Sequence, residues 1–125
     1  MITGNGVDII EVERIKRNLE NEKFIKKIYS DNEIEYLRKR KFNPQTAAGL
    51  FAAKEAVSKC LGTGFSTFGP SDIEISRDEN GRPCVMLMNN ALKISKEKNI
   101  GTIHLSISHI KAYAVAYAVA EGFKS

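Results

Sequence analysis

The chain has 125 residues, of which 42% are hydrophobic and 27% charged, so it can bury the core of one domain and is not a disordered segment. Lysine and arginine outnumber aspartate and glutamate by 19 to 15, and the net charge of +4 favours an anionic partner such as a nucleic acid, a nucleotide or an acidic protein. No apolar run is long enough to span a membrane, and the first residues contain no signal-peptide core. We therefore expect a single domain over residues 1–125, in the cytoplasm and without membrane contact.

The first half of the chain predicts one strand followed by helices. "GVDII" is β-branched and places Asp8 inside a strand, and the apolar spacing of "EVERIKRNLE" and "NEKFIKKIYS" is helical. Ser30 and Glu33 form a capping-box pattern for a helix that continues to about residue 40. Pro44 can open a long helix, which we expect Gly62 to end.

The second half predicts strands with one intervening helix. "SDIEISRDENGRPCVMLM" alternates and turns near "ENGRP", as in a hairpin. "NNALKISKEKN" predicts a short helix capped by Asn89 or Asn90, and "TIHLSISHIKAYAVAYAVAE" predicts two strands joined tightly after His109. Helices followed by hairpins indicate an α+β fold, in which the N-terminal helices pack on a mostly antiparallel sheet.

The last strand has two very different faces. "KAYAVAYAVAE" places alanines on one face and the tyrosines and valines on the other. A face of alanines fills little core volume, so we expect it to lie against another subunit or a close-packed helix. The two cysteines, Cys60 and Cys84, form no CxxC motif, and we interpret both as buried free thiols.

Three residues of two predicted elements, a strand and the long helix, carry the candidate chemistry. An aspartate in a strand, Asp8, either lies exposed at the sheet rim or requires a cation or backbone donors. Glu55 and Lys59 lie one helical turn apart, as in a surface ion pair or in one wall of an anion site. One strand carboxylate and one helix carboxylate suit Mg²⁺, which takes few protein ligands and keeps substrate phosphates in its shell. Lys59 would then neutralise the remaining phosphate charge.

The long helix ends in Gly62-Thr63-Gly64, although one glycine would suffice for a helix C-cap. A second glycine frees the backbone amides after Thr63 to face a ligand phosphate. The segment is not a P-loop, because a P-loop lysine follows its glycines and precedes a helix.

Three segments carry a family resemblance, namely "GVDIIEVERI", "FAAKEAVSKCLGTG" and "LSISHIKAYAVA", in this order and at these intervals. Together they resemble holo-acyl-carrier-protein synthase, the small bacterial 4'-phosphopantetheinyl transferase, over nearly the whole chain. The resemblance implies the 4'-phosphopantetheinyl transferase fold and a Mg²⁺-dependent enzyme of fatty acid biosynthesis. Such an enzyme transfers 4'-phosphopantetheine from coenzyme A to a serine of an apo acyl carrier protein, and adenosine 3',5'-bisphosphate leaves.

The resemblance also implies roles for single residues. The metal ligands fall on Asp8 and Glu55, the phosphate-contacting lysine on Lys59, and a histidine near the coenzyme on His109. The family is typically a homotrimer with active sites at the interfaces, which would fit the alanine face. The turn that contacts coenzyme A from a neighbouring subunit corresponds to Asn80, Gly81, Arg82 and Pro83.

The basic helix that docks the acidic carrier protein corresponds to Arg14, and Lys16 and Arg17 extend its basic surface. The chain departs from the family pattern at one position: Leu50 stands where many members have arginine. If that arginine helps bind the coenzyme phosphates, binding here is weaker or uses another basic residue, such as Lys41.

Two other classes of protein fit parts of the pattern. Asp, Glu and Lys also serve metal-dependent nucleases, but those usually place Glu and Lys two apart on a strand rather than four apart on a helix. A small nucleic-acid-binding module would explain the basic "LRKRK", yet this segment has no interleaved aromatic residues and the chain has no tryptophan for stacking. We therefore expect no nucleic acid as a partner.

Overall fold

The computed structural model describes residues 1–123, which form five strands, five α-helices and one 3₁₀ turn. The strands are β1 (Ile2–Glu11), β2 (Ile73–Arg77), β3 (Pro83–Leu87), β4 (Ile100–His109) and β5 (Tyr113–Gly122). The helices are α1 (Val12–Lys16), α2 (Glu22–Ile28), α3 (Asp31–Lys39), α4 (Pro44–Cys60) and α5 (Asn89–Glu97), with the 3₁₀ turn at Pro70–Asp72. Three antiparallel strands lie in the order β1-β5-β4, and β2 pairs with β3 in a separate antiparallel hairpin. The α+β class, the hairpin and the antiparallel pairing are confirmed.

Helix α4 is the centre of the packing and contacts all three strands of the larger sheet. Pro44 occupies its first helical position, as predicted. Asn43, which the sequence analysis did not single out, caps the first turn by accepting from the Thr46 amide at 3.0 Å. Gly62 follows the helix with φ +81°, a conformation that a residue with a β-carbon rarely adopts.

The alanine face of β5 packs inward against α4, and its four members are buried: Ala114, Ala116, Ala118 and Ala120. Of the two neighbours that the sequence left open, the structure selects the close-packed helix, because small side chains let the sheet and helix backbones approach. The link between the alanine face and a trimer interface is therefore wrong. The opposite face of this sheet is the exposed one, with Val7 exposed by 52% and Ile9 by 65%.

The capping box at the start of α3 is confirmed and extends into a buried ion pair. Glu33 Oε1 accepts from the Ser30 amide at 2.8 Å and lies 2.6 Å from Lys54 Nζ, and both charged side chains are only 1% exposed. Lys54 also donates to the carbonyls of Pro70 and Ile73, while Glu33 Oε2 accepts from the Ile75 amide at 2.7 Å. These bonds join α3, α4 and β2.

Helix α5 forms where it was predicted, but neither asparagine caps it. The N-cap residue is Met88, and the side chains of Asn89 and Asn90 instead donate to Asp72 Oδ1 and to the Thr67 carbonyl. The capping prediction was therefore wrong, because these amides tie the helix to the preceding loop.

Both cysteines are free, as predicted, although only Cys60 is buried and Cys84 is half-buried. None of the helices within residues 1–123 is long and apolar enough to cross a membrane.

Candidate active site

Two glycines of β1 allow the strand to lie directly on the backbone of α4. A β-carbon added at Gly6 would lie 2.1 Å from the Ala56 carbonyl oxygen, and one added at Gly4 would lie 2.3 Å from the Cys60 carbonyl oxygen. Real contacts of this kind are never this short, so only glycine fits at these two positions. The close approach brings Asp8, which follows on the same face of β1, beside the last turns of α4.

Asp8 and Lys59 form an ion pair across this contact. Lys59 Nζ lies 3.3 Å from Asp8 Oδ1 and donates to the Val7 carbonyl at 2.9 Å. The Lys59 side chain is 52% exposed and the Asp8 side chain 18%, so the pair lies at the edge of the core, where a ligand can reach it. Of the two interpretations of Asp8, the structure supports the one with a cationic partner.

Glu55 belongs to the same cluster electrostatically. Its pKa is raised, first by burial and then by the negative charge of Asp8, while Lys59 and Arg14 act in the opposite direction. Asp8 of β1, Lys59 of α4 and Arg14 of α1 therefore all lie within electrostatic range of the Glu55 carboxyl group. The contribution of Arg14 was not expected from the sequence, which assigned that residue only to partner docking.

The Gly-Thr-Gly segment closes the C-terminal end of α4. Gly62 donates its amide to the Lys59 carbonyl at 2.9 Å, as in a Schellman closure, and the Gly64 amide donates to the Ser58 carbonyl at 3.2 Å. The expectation that the Gly64 amide is free to face a phosphate is therefore wrong. The Thr63 hydroxyl donates to the Gly64 carbonyl at 2.9 Å, and Gly64 has φ +58°.

A lysine that the sequence did not single out also reaches this segment. Lys98, just after α5, donates to the Leu61 carbonyl at 2.5 Å. A cation there stabilises the negative end of the α4 dipole and adds positive charge beside the Gly-Thr-Gly segment.

His109 and the "NGRP" turn lie away from the Asp8 cluster within one chain. His109 ends β4 opposite Ala114, which in turn pairs with Ile10 of β1, so β5 separates His109 from the strand of Asp8. The turn of Asn80, Gly81, Arg82 and Pro83 joins β2 to β3 and is organised by Asp78, which accepts from the amides of Asn80 and Arg82 at 2.9 Å each. Among residues 1–123, no hydrogen bond or ion pair joins either feature to Asp8, Glu55 or Lys59.

The remaining predicted residues lie on two surfaces and in the core. Arg14 and Arg17 are exposed on and just after α1. Leu50 is buried in the core, where it packs as a hydrophobic residue, and Lys41 is exposed in the connection before α4 with φ +54°.

Comparison with known proteins identifies the class of protein to which this fold and the cluster of Asp8, Glu55 and Lys59 belong. The sequence model of the 4'-phosphopantetheinyl transferase superfamily matches residues 4–118. The chain belongs to this superfamily, and of the classes considered from the sequence this selects the transferase over the nuclease and the nucleic-acid-binding module.

Similar proteins narrow the class further. The chain is 51% identical over 122 residues to a holo-[acyl-carrier-protein] synthase of Clostridium botulinum (strain Alaska E43 / Type E3), covering 97% of this chain and 98% of the relative. An acyl carrier protein synthase structure of Plasmodium yoelii with ADP bound has a TM-score of 0.89 at 37% identity, covering 99% of this chain and 98% of the other. A holo-(acyl-carrier-protein) synthase of Bacillus anthracis in complex with CoA (3',5'-ADP) has a TM-score of 0.82 at 37% identity, covering 98% and 99%.

Proposed function

We propose that this chain transfers 4'-phosphopantetheine from coenzyme A to a serine of an apo acyl carrier protein, as a step that serves fatty acid biosynthesis. The observation that carries the proposal is the convergence of Asp8, Glu55 and Lys59 at the β1–α4 contact, in a chain of this superfamily. The relative named as a holo-[acyl-carrier-protein] synthase and the coenzyme A complex of a similar fold support the substrates. The transfer breaks the bond between the β-phosphorus and the bridging oxygen, which leaves on adenosine 3',5'-bisphosphate. The serine hydroxyl gives up its proton, and its oxygen bonds to the β-phosphorus.

The carboxylates of Asp8 and Glu55 fit Mg²⁺ as its protein ligands. Magnesium prefers oxygen donors and is usually held by one or two carboxylates together with water and substrate phosphates. No group of three or more His, Cys, Asp or Glu side chains that could enclose a metal occurs within residues 1–123. In the proposed site, water and substrate phosphates would complete the shell. When bound there, Mg²⁺ would withdraw charge from the diphosphate of coenzyme A.

Cationic side chains complete the proposed diphosphate site. Lys59 is half-exposed beside Asp8, and its ammonium can stabilise the negative charge that develops on the leaving bisphosphate. We assign further coenzyme contacts to Gly62, Thr63 and Gly64, and to His109 at the end of β4. Because the Gly64 amide is already bonded to Ser58, we expect this segment to contact the coenzyme through its shape and the nearby lysines rather than through that amide.

We further propose that the active unit is a homotrimer whose subunits meet on the exposed face of the larger sheet. Val7, Ile9, Tyr113 and Tyr117 form an apolar patch there, and patches of this kind commonly mark subunit contacts. The exposed turn of residues 80–83 would then act on a neighbour's site. Light scattering tests the assembly, and the mass of a single chain would contradict it.

The carrier protein is proposed to dock on α1, where Arg14, Lys16 and Arg17 present positive charge to an acidic partner. The cytoplasmic location stays a prediction from the sequence.

The decisive experiment combines the protein with apo acyl carrier protein, coenzyme A and Mg²⁺ and measures the intact mass of the carrier. We expect a gain of one phosphopantetheine that EDTA prevents. Glu55→Ala should abolish the gain with the fold intact, because one of the two metal ligands is lost. Glu97→Ala removes an exposed carboxylate at the end of α5 and serves as the matched control. Transfer by Glu55→Ala at the rate of the control would refute the assignment of the metal site.

A further inference from the structure

The position of the Lys59 ammonium has a consequence for cation binding that goes beyond phosphate contact. Lys59 Nζ donates to the Val7 carbonyl at 2.9 Å and lies 3.3 Å from Asp8 Oδ1. A lysine side chain that is half-exposed could extend into water, but here it folds back onto the strand that carries Asp8. Its ammonium therefore holds β1, Asp8 and the end of α4 together.

The same ammonium is a counter-charge for both carboxylates. Lys59 contacts Asp8 at 3.3 Å and follows Glu55 by one turn of α4, so it lies beside the carboxylates of two elements. Arg14, on α1, makes no ion pair with Asp8 among the described residues. A divalent cation that binds Asp8 must compete with an ammonium that already contacts the same carboxylate.

We infer that Lys59 is a positioning residue that competes with the divalent cation for Asp8 and moves to the phosphate once the cation is bound. The inference rests on the proposed function and deepens it. In the metal-free protein the ion pair keeps Asp8 oriented and offsets its repulsion with Glu55. With a cation held by Asp8, the Lys59 ammonium would be free to pair with the diphosphate of the substrate. Cation and diphosphate would then support each other's binding, as linkage requires.

The inference predicts opposite effects of one substitution on two ligands. Lys59→Met keeps most of the aliphatic stem but removes the ammonium. Mg²⁺ alone should then bind about two- to fivefold more tightly, because a competing ion pair of this exposed kind is lost. The preformed Mg²⁺–pyrophosphate complex should bind more weakly, because its phosphate loses a cationic partner. If Lys59 only contacted phosphate, Lys59→Met would weaken binding of the Mg²⁺–pyrophosphate complex and leave the affinity for Mg²⁺ alone unchanged.

Isothermal titration calorimetry of the full chain measures both affinities, first with MgCl₂ alone and then with the Mg²⁺–pyrophosphate complex. Lys39→Met is the matched control, since it removes the same charge from an exposed position at the end of α3. Asp8→Asn tests the site itself and should abolish Mg²⁺ binding. Circular dichroism verifies that each variant is folded.

The outcomes separate the inference from the proposed function. Tighter Mg²⁺ binding together with weaker Mg²⁺–pyrophosphate binding in Lys59→Met supports the inference. Unchanged Mg²⁺ affinity in Lys59→Met, with binding still lost in Asp8→Asn, overturns the inference and leaves the metal site standing. If the wild-type chain binds neither Mg²⁺ alone nor the Mg²⁺–pyrophosphate complex, both the inference about Lys59 and the proposed metal site are overturned.

Discussion

Replacing Gly6 with alanine should displace Asp8 from its partners on α4. The new β-carbon would lie 2.1 Å from the Ala56 carbonyl oxygen, while real contacts of this kind are essentially never under 3.0 Å, so strand and helix must separate by about 0.9 Å. The clash is with backbone, which cannot rotate away as a flexible side chain can. The separation opens the contact that holds Asp8 at 3.3 Å from Lys59 Nζ.

A displacement of about 1 Å between reacting groups commonly costs about 10²-fold in rate, which corresponds to about 2.7 kcal/mol of transition-state stabilisation. The forced separation should also lower the free energy of unfolding by about 1–3 kcal/mol, as in other overpacked cores. We therefore expect Gly6→Ala to lose about 10²-fold in kcat/KM for coenzyme A while remaining folded at assay temperature.

Two further glycine variants separate displacement of the site from general instability. Gly4→Ala meets the Cys60 carbonyl oxygen at 2.3 Å but lies farther along the strand from Asp8, so it should cost similar stability and less activity. Gly69→Ala meets no atom within 4 Å and should change neither. Carrier mass measures activity and chemical denaturation measures stability. A Gly6→Ala rate within about threefold of wild type would show that Asp8 is not displaced, and so would activity that follows stability equally in the two β1 variants.

Two other predictions concern groups outside the site. Lys54→Met should lower the free energy of unfolding by about 3–5 kcal/mol, because it leaves the buried Glu33 carboxylate without its cation. Denaturant titration measures the free energy of unfolding. If Lys54→Met lowers it no more than the surface variant Lys39→Met does, the Glu33–Lys54 pair is not needed for stability. In the folded protein, iodoacetamide should alkylate Cys84 before Cys60, because burial raises the pKa of the Cys60 thiol and the thiolate is the reactive form. Peptide mass mapping follows both sites, and equal rates would contradict this order.

Local sequence signals determined most of the secondary structure. The Ser30–Glu33 capping box, Pro44 at the first turn of α4 and Gly62 after its end each act within a few residues, so the sequence predicts them without knowledge of the tertiary fold. The alternation of β5 likewise predicts two distinct faces. The capping of α5 could not be predicted, because the side chains of Asn89 and Asn90 donate to Asp72 and Thr67, 17 and 23 residues earlier in the chain, and these bonds outweigh the local preference.

The identity of the candidate site residues came from the sequence, through the spacing of Glu55 and Lys59 and the family resemblance. Only the tertiary structure decided that Lys59 pairs with Asp8, because that contact joins residues far apart in the chain and depends on two glycines that let backbones touch. No local signal distinguishes the buried Glu33–Lys54 pair in the sequence. The free-energy cost of burying these two charges is offset by hydrogen-bond partners from other elements, which only the tertiary structure brings together. The tertiary structure also decided which face of β5 is buried. A strand pattern shows that two faces differ, but only the helix packed against one of them determines which face remains for another subunit.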